Sequence, residues 1–168
     1  MHPHELRHYL PKALEFLGCK YSVFGFHENH LDTIRRSPIT HWIFTGSEYN
    51  VFDETAPQLD LGILKLENKR FLLICYSMES VLLQLGCRLV KRRNNMREYF
   101  NLKLEGNTLK AYRDHYTYVV PDKMRRGIRL LATYKGYTMN AEYRNAVMTQ
   151  WHPERTMDGI QFMQKWLE

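Results

Sequence analysis

The sequence lacks any apolar run close to the roughly 20 residues that a membrane-spanning helix needs. It also lacks low-complexity segments and internal repeats, and 13% of its residues are aromatic, which argues against a disordered chain. The 168 residues, 44% of them hydrophobic, suffice for one hydrophobic core but leave no room for a second large catalytic domain. We therefore predict a single domain over residues 1–168 that does not enter a membrane.

Cysteine is scarce, and no Cys-x-x-Cys pair of the kind that binds zinc or exchanges disulfides is present. The three cysteines are Cys19, Cys75 and Cys87. The N-terminal residues show no signal-peptide pattern, which predicts reduced thiols and a cytoplasmic location. His2, His4 and His8 are expected to be solvated near the terminus, so neither a metal nor a cofactor is predicted.

Acidic residues are outnumbered by basic ones, 18 against 24, and the net charge of +6 is concentrated in segments 88–97 and 123–129. A solvated face is the ordinary interpretation of such clusters. Nucleic acid is not a predicted partner, because no nucleic-acid-binding motif accompanies them. An acidic partner or a phosphate-bearing ligand remains open.

Hydrophobic periodicity predicts an α/β fold. Helical spacing is found at 4–17, 77–85 and 157–167. Strand-like runs are found at 21–26, 41–45, 70–75, 130–135 and 142–150, with several short ones within 87–120 around a hairpin signal at 105–107. Strands alternating with helices, followed by a meander, indicate a sheet covered by helices on both faces.

Cys75 is the first candidate for chemistry. It stands where a buried strand is predicted to end and a helix to begin, which is the position of the nucleophile in a strand–turn–helix elbow. The N-terminus of a helix offers unpaired N–H groups and partial positive charge, which favour the thiolate. A buried, unreactive cysteine is the alternative interpretation.

A second candidate segment is Gln150-Trp151-His152-Pro153-Glu154. Pro153 favours an extended conformation for His152, and residues two apart in an extended chain face the same side. Glu154 can then fix the imidazole tautomer and leave the other ring nitrogen to exchange a proton with a thiol. A surface turn with an incidental ion pair is the alternative.

The third candidate segment is Phe44-Thr45-Gly46-Ser47, a strand that runs into a turn of small residues. Gly46 allows backbone to approach a ligand closely. Its N–H, together with the N–H of Tyr76 beside the nucleophile, would form an oxyanion hole for a tetrahedral intermediate.

In this order, the three segments resemble the class I glutamine amidotransferases, whose elbow reads Gly-x-Cys-x-Gly-x-Gln and whose base segment reads Gln-Phe-His-Pro-Glu. The likeness covers nearly the whole chain. Arg97-Glu98-Tyr99 is similar to a segment of the GMP synthetase branch, and Asp114-His115 to a Ser-His segment before the last strands. The resemblance implies a flavodoxin-like sandwich with a central, mostly parallel sheet.

Carried over by position, the resemblance makes Cys75 the nucleophile, His152 the acid–base and Glu154 its orienting partner. The implied oxyanion-hole and substrate-binding positions are Gly46, Tyr76, Ser47 and Glu79. The implied reaction is hydrolysis of glutamine to glutamate and ammonia through a cysteine thioester. The implied partner is a separate synthetase chain that consumes the ammonia.

The chain departs from the family pattern at the elbow and at its start. Leu73 and Ser77 stand where the family has glycine, and Glu79 stands where it has glutamine. The apolar strand that opens the family is missing. Either residues 20–26 pair differently, or the sheet is incomplete and its unpaired edge favours a homo-oligomer. Two alternatives therefore stay open: a γ-glutamyl hydrolase, and a non-catalytic binding or structural protein.

Overall fold

The computed structural model describes residues 3–25 and 30–168, and the following elements lie within those ranges. The helices are α1 (Pro3–Phe16), α2 (His30–Arg36), α3 (Tyr76–Gln84) and α4 (Met157–Leu167). The strands are β1 (His41–Phe44), β2 (Arg70–Ile74), β3 (Leu89–Leu104), β4 (Asn107–Val119), β5 (Arg129–Tyr134), β6 (Tyr137–Tyr143) and β7 (Ala146–Thr149). None of these helices combines the length and apolarity needed to cross a membrane.

The main sheet has the strand order β1-β2-β7-β6-β5. Strands β1, β2 and β7 run parallel to one another, and β6 and β5 extend the sheet in antiparallel fashion. This mixed sheet with helices confirms the predicted α/β class. Because parallel strands end at the same edge, the chain leaving β1, β2 and β7 emerges at one place.

The central strand β2 shows why helices cover both faces of the sheet. Successive side chains of a strand point to opposite faces, and those of β2 divide accordingly. Phe71 and Leu73 belong to a core that includes residues of α2 and α3, whereas Leu72 and Ile74 belong to a core that includes residues of α1 and α4. All four side chains are fully buried.

Strands β3 and β4 form a long antiparallel hairpin outside the main sheet. Its turn lies at Glu105 and Gly106, both with positive φ, which is the geometry of a tight two-residue hairpin turn. The hairpin signal is therefore confirmed. The hairpin packs through Leu102 and Ala111 against a third core that includes residues of β5 and β6.

Several predicted elements differ from the observed ones. Residues 21–25 form no strand, because their side chains are exposed and no neighbouring strand pairs with them, while Phe26 lies outside the described residues. Helix α2, only seven residues long, was not predicted. The run 142–150 is interrupted at Arg144, which has a positive φ in the turn between β6 and β7. Within residues 3–25 and 30–40, no strand precedes β1, as expected.

Candidate active site

Cys75 lies in the sharp turn between β2 and α3. Its backbone has φ 53° and ψ −108°, a strained conformation for a residue with a β-carbon. Its N–H donates to the carbonyl of Thr149 at 2.7 Å, so the turn is fastened to the end of β7. This is the geometry of a nucleophile elbow, with a thiol where helix α3 begins.

His152 and Glu154 follow β7 and reach the same place. The Nδ1 of His152 lies 2.9 Å from Oε1 of Glu154, and the Cys75 thiol lies close enough to the imidazole to raise its pKa. The backbone N–H of His152 donates to the carbonyl of Tyr112 on β4 at 2.8 Å, which fixes the segment against the hairpin. Thiol, imidazole and carboxylate therefore lie next to one another, and all three side chains are buried.

Burial and the neighbouring groups shift the pKa values of Cys75 and His152 in opposite directions. Burial raises the pKa of the Cys75 thiol, although hydrogen bonding to His152 and the backbone N–H of Tyr76 opposes that shift. Burial alone would lower the pKa of His152, but the Glu154 carboxylate and Cys75 outweigh it and raise that pKa well above its usual range. A buried imidazole so placed is suited to hold a proton taken from the thiol.

Gly46 lies against both members of the thiol–imidazole pair. A β-carbon at this position would stand 3.2 Å from Cβ of Cys75 and 3.2 Å from Cε1 of His152. The hydroxyl of Ser77 donates to the carbonyl of Thr45 at 2.7 Å, which ties the first turn of α3 to the loop after β1. The backbone of Gly46 and the N–H of Tyr76 thus approach the thiol from two elements.

Glu79 lies one helical turn after Cys75 and is buried. Its Oε1 accepts a hydrogen bond from Nε2 of Gln150 at 2.7 Å, and its carboxylate is also hydrogen-bonded by Thr117. The same Gln150 nitrogen lies 3.9 Å from the sulfur of Cys75. Burial raises the pKa of Glu79 to about 7, against the opposing effect of its hydrogen-bond donors.

His115 on β4 is held as a neutral imidazole. Its Nδ1 donates to the carbonyl of Thr117 at 2.7 Å, and burial lowers its pKa to about 4. The other ring nitrogen therefore carries a lone pair, and it has no hydrogen-bond partner among the described residues. His115 also contributes to the lining of the cavity described next.

A cavity of about 710 Å³ opens onto these residues. Cys75, His152, Glu79 and Tyr76 contribute to its lining, as does the predicted position Ser47. Gly46 is absent from that lining but touches two residues that belong to it. Among the described residues, which exclude His2, no group of three His, Cys, Asp or Glu side chains could hold a metal ion.

Sequence reasoning missed the supporting residues Gln150, Thr117 and Ser77. A signal for Gln150 was present, because residues 150, 152 and 154 alternate along one extended segment and share a face. Thr117 carried no such signal, since its contact with Glu79 joins residues far apart in the sequence. The departure at Leu73 does not distort the elbow, because this side chain points into the core beside α3 and is fully buried.

Comparison with solved structures identifies the class of fold. The chain is similar to a protein of Thermoplasma acidophilum assigned to GMP synthase as one of its subunits, with a TM-score of 0.77 and 16% sequence identity. The similarity covers 96% of this chain and 86% of that one. At this identity, the likeness concerns the fold alone. No curated protein is a significant match to the chain.

The sequence itself identifies the family. The family model for "Glutamine amidotransferase class-I" matches residues 4–162, which is nearly the whole chain. The chain therefore belongs to the class I glutamine amidotransferase family.

Proposed function

We propose that this chain hydrolyses the side-chain amide of glutamine, with Cys75 as nucleophile. The observation that carries the proposal is the juxtaposition of Cys75, in a strained turn before a helix, with the imidazole of His152, which is hydrogen-bonded to Glu154. Membership of the amidotransferase family supports the same reaction class. The buried carboxylate of Glu154 orients the imidazole and stabilises its protonated form.

In the first half of the proposed reaction, the Cys75 sulfur attacks the amide carbon while His152 accepts the thiol proton. The negative charge on the amide oxygen is stabilised by the N–H groups of Gly46 and Tyr76. The carbon–nitrogen bond then breaks, His152 returns the proton to the departing nitrogen, and ammonia and a glutamyl thioester result.

In the second half, water attacks the thioester. His152 accepts a proton from that water and returns it to the sulfur as the carbon–sulfur bond breaks. Glutamate leaves and the thiol is restored. Glutamine and water are thus converted to glutamate and ammonia, without any redox step.

An ammonia-accepting synthetase on a separate chain is the partner we propose. The solved structure to which the chain is similar is assigned to GMP synthase, which is the support for a partner of this kind. Residues 1–168 would act as one glutaminase unit beside it. Copurification tests for this partner, and ammonia transfer in the presence of candidate synthetases tests whether the acceptor is a nucleotide.

A second candidate function is hydrolysis of γ-glutamyl compounds larger than glutamine. The cavity volume of about 710 Å³ favours it, because cavities of roughly 300–1,000 Å³ accommodate ligands well above the size of a free amino acid. The chemistry at Cys75 would be the same. Only the amine that departs would differ.

The proposal is tested by measuring glutamate released from glutamine. Replacement of the nucleophile, Cys75→Ala, should lower the rate by roughly 1,000-fold or more, because no other group can form the thioester. Cys19→Ala is the matched control, since this partly exposed thiol lies outside the cavity and its loss should leave the rate unchanged. Glutamate release that survives Cys75→Ala would contradict the proposed function.

A further inference from the structure

One wall of the cavity is built by an irregularity in strand β3. The pairing of β3 with β4 is regular up to Lys91 and resumes at Met96. Between them, residues 92–95 of β3 face the single residue Tyr116 of β4. We refer to residues 92–95 as the bulge. Bulges beside active sites commonly redirect side chains, and this one lies at the candidate site.

The bulge is anchored at both ends. The guanidinium of Arg92 lies 4.9 Å from the ring centroids of both Tyr118 and Tyr137, and it donates a hydrogen bond to the Tyr137 hydroxyl. At the other end, the amide nitrogen of Asn95 donates to the carboxylate of Asp114. The segment between these anchors is therefore held in a defined position against the cavity.

The anchored segment carries positive charge into the cavity wall. Lys91, Arg92 and Arg93 all line the cavity that contains the candidate nucleophile. The side chains of Lys91 and Arg93 have no ion-pair partner among residues 3–25 and 30–168. The neighbouring carboxylate of Asp114 does not neutralise them, because it is paired with Arg97 at 3.0 Å.

The remaining acidic groups of the cavity do not belong to the bulge. Glu79 is buried beside the nucleophile and is hydrogen-bonded by Gln150. Glu48 belongs to the loop after β1. The bulge side of the cavity is therefore cationic, and a ligand that reaches from Cys75 to this side gains from carrying negative charge there.

We propose that, among γ-glutamyl amides other than glutamine, the site favours those whose departing amine carries an anionic group, and that Lys91 and Arg93 bind this group. This inference rests on the second candidate function, hydrolysis of larger γ-glutamyl compounds at Cys75. When glutamine is the substrate, the departing group is ammonia, which has no charge for Lys91 and Arg93 to recognise and occupies little of the cavity of about 710 Å³.

The same kinds of bond form and break as in the hydrolysis of glutamine. The Cys75 sulfur bonds to the γ-carbonyl carbon, the bond from this carbon to the amine nitrogen breaks, and His152 supplies the proton that the amine takes with it. Water then releases glutamate from the thioester. Lys91 and Arg93 act only by positioning the substrate, so their contribution depends on the charge of the departing amine.

The inference is tested by comparing kcat/KM for γ-glutamylglutamate, whose departing amine carries two carboxylates, with that for γ-glutamylethylamide, whose departing amine carries none. The wild-type protein should favour γ-glutamylglutamate by about tenfold, the effect expected of two exposed ion pairs. The double substitution Lys91→Met with Arg93→Met should bring this ratio close to one by lowering kcat/KM for γ-glutamylglutamate. Added salt should slow only the reaction of γ-glutamylglutamate.

The matched control is Lys103→Met with Arg126→Met, which removes the same two charges from exposed positions outside the cavity. It should preserve the wild-type ratio. A wild-type ratio near one, or a ratio that Lys91→Met with Arg93→Met does not change, would overturn the inference. Hydrolysis of glutamine that depends on Cys75 would still support the proposed function in either case, whereas no hydrolysis of glutamine or of either γ-glutamyl amide would overturn both.

Discussion

Cys75 keeps a strained backbone without glycine on either side. A residue with a β-carbon in such a conformation costs about 1–3 kcal/mol, so the surrounding contacts must hold it there. They do so through the hydrogen bond from the Cys75 N–H to Thr149 and through the Ser77 hydroxyl bound to Thr45, each at 2.7 Å. Neither Leu73 nor Ser77 has a positive φ. The glycines typical of the family are therefore not required by the backbone of this elbow.

A single methyl group added at Gly46 should disturb the geometry of the site strongly. Its backbone is not in the left-handed region, so Gly46→Ala is tolerated by φ, but the new β-carbon would stand 3.2 Å from both Cys75 and His152. Those side chains must move apart. We expect kcat/KM for glutamine to fall roughly 100-fold, as for other small misplacements of reacting groups.

The measurement for Gly46→Ala is steady-state kinetics together with thermal unfolding. The cost in unfolding free energy should be about 1–3 kcal/mol, typical of overpacking, so the variant should remain folded. A folded variant with wild-type kcat/KM would contradict the close approach of Gly46 to the two side chains.

Glu79 should set the pH at which the site becomes active. Its negative charge raises the pKa of Cys75, so Glu79→Gln should lower that pKa and shift the acid limb of the kcat/KM profile toward lower pH. Glu79 itself has a pKa of about 7. Below that pH it is neutral in the wild type, so the difference between the two profiles should be confined to higher pH.

The control for this pH profile is Glu142→Gln, which makes the same change at a carboxylate paired with Arg129 and outside the cavity. Its profile should overlay that of the wild type. A shift of the Glu79→Gln profile toward higher pH would contradict the inference that the negative charge of Glu79 raises the pKa of Cys75.

At the scale of single residues, Pro153 and the strand–helix junction made Cys75, His152 and Glu154 candidates, and the family resemblance brought them together as one predicted site. Thr117 could not be predicted, because its contribution depends on how the hairpin packs against α3, and no local pattern encodes that contact.

At the scale of secondary-structure elements, helix α4 packs against the segment that carries His152 and Glu154. Gly159 in its first turn faces Pro153, and a β-carbon there would lie 2.2 Å from the Pro153 carbonyl oxygen and 2.7 Å from its Cα. Helix propensity alone predicts that Gly159→Ala stabilises the chain by about 1 kcal/mol. The steric conflict predicts the opposite sign, a destabilisation of about 2 kcal/mol or more, because the backbone of Pro153 must move.

Thermal or denaturant unfolding measures whether Gly159→Ala raises or lowers the free energy of unfolding. Gln161→Ala, at an exposed position of the same helix, is the control and should change stability by only a few tenths of a kcal/mol. Because Pro153 separates His152 from Glu154, glutaminase activity should fall with Gly159→Ala as well. Stabilisation by Gly159→Ala would show that α4 does not press on this segment.

The elements that the sequence predicted least well are those whose form depends on partners. The hairpin turn at Gly106 was predictable from its residues, but the length of β3 was not, because its polar and charged side chains weaken the alternating pattern. Residues 21–25 have strand-forming side chains and yet no strand to pair with. A strand propensity without a neighbouring edge does not produce a strand.

At the scale of the whole molecule, the residues that line the cavity come from several separate segments of the chain. They come from the loop after β1, the start of α3, both hairpin strands and the segment after β7. A bound ligand therefore links the main sheet to the hairpin, and unfolding of any of these parts releases it. Ligand binding should stabilise the molecule as a unit.

We expect glutamine to raise the Tm of the Cys75→Ala variant, which is expected to bind glutamine without hydrolysing it. At a concentration 100 times Kd, binding contributes about 2.7 kcal/mol, which corresponds to about 5–10 °C for a chain of this size. The D-enantiomer is the control, because a site built for one arrangement of groups about the α-carbon should discriminate against its mirror image. Equal shifts with both enantiomers would indicate nonspecific stabilisation, and no shift with either would mean that the cavity does not hold glutamine.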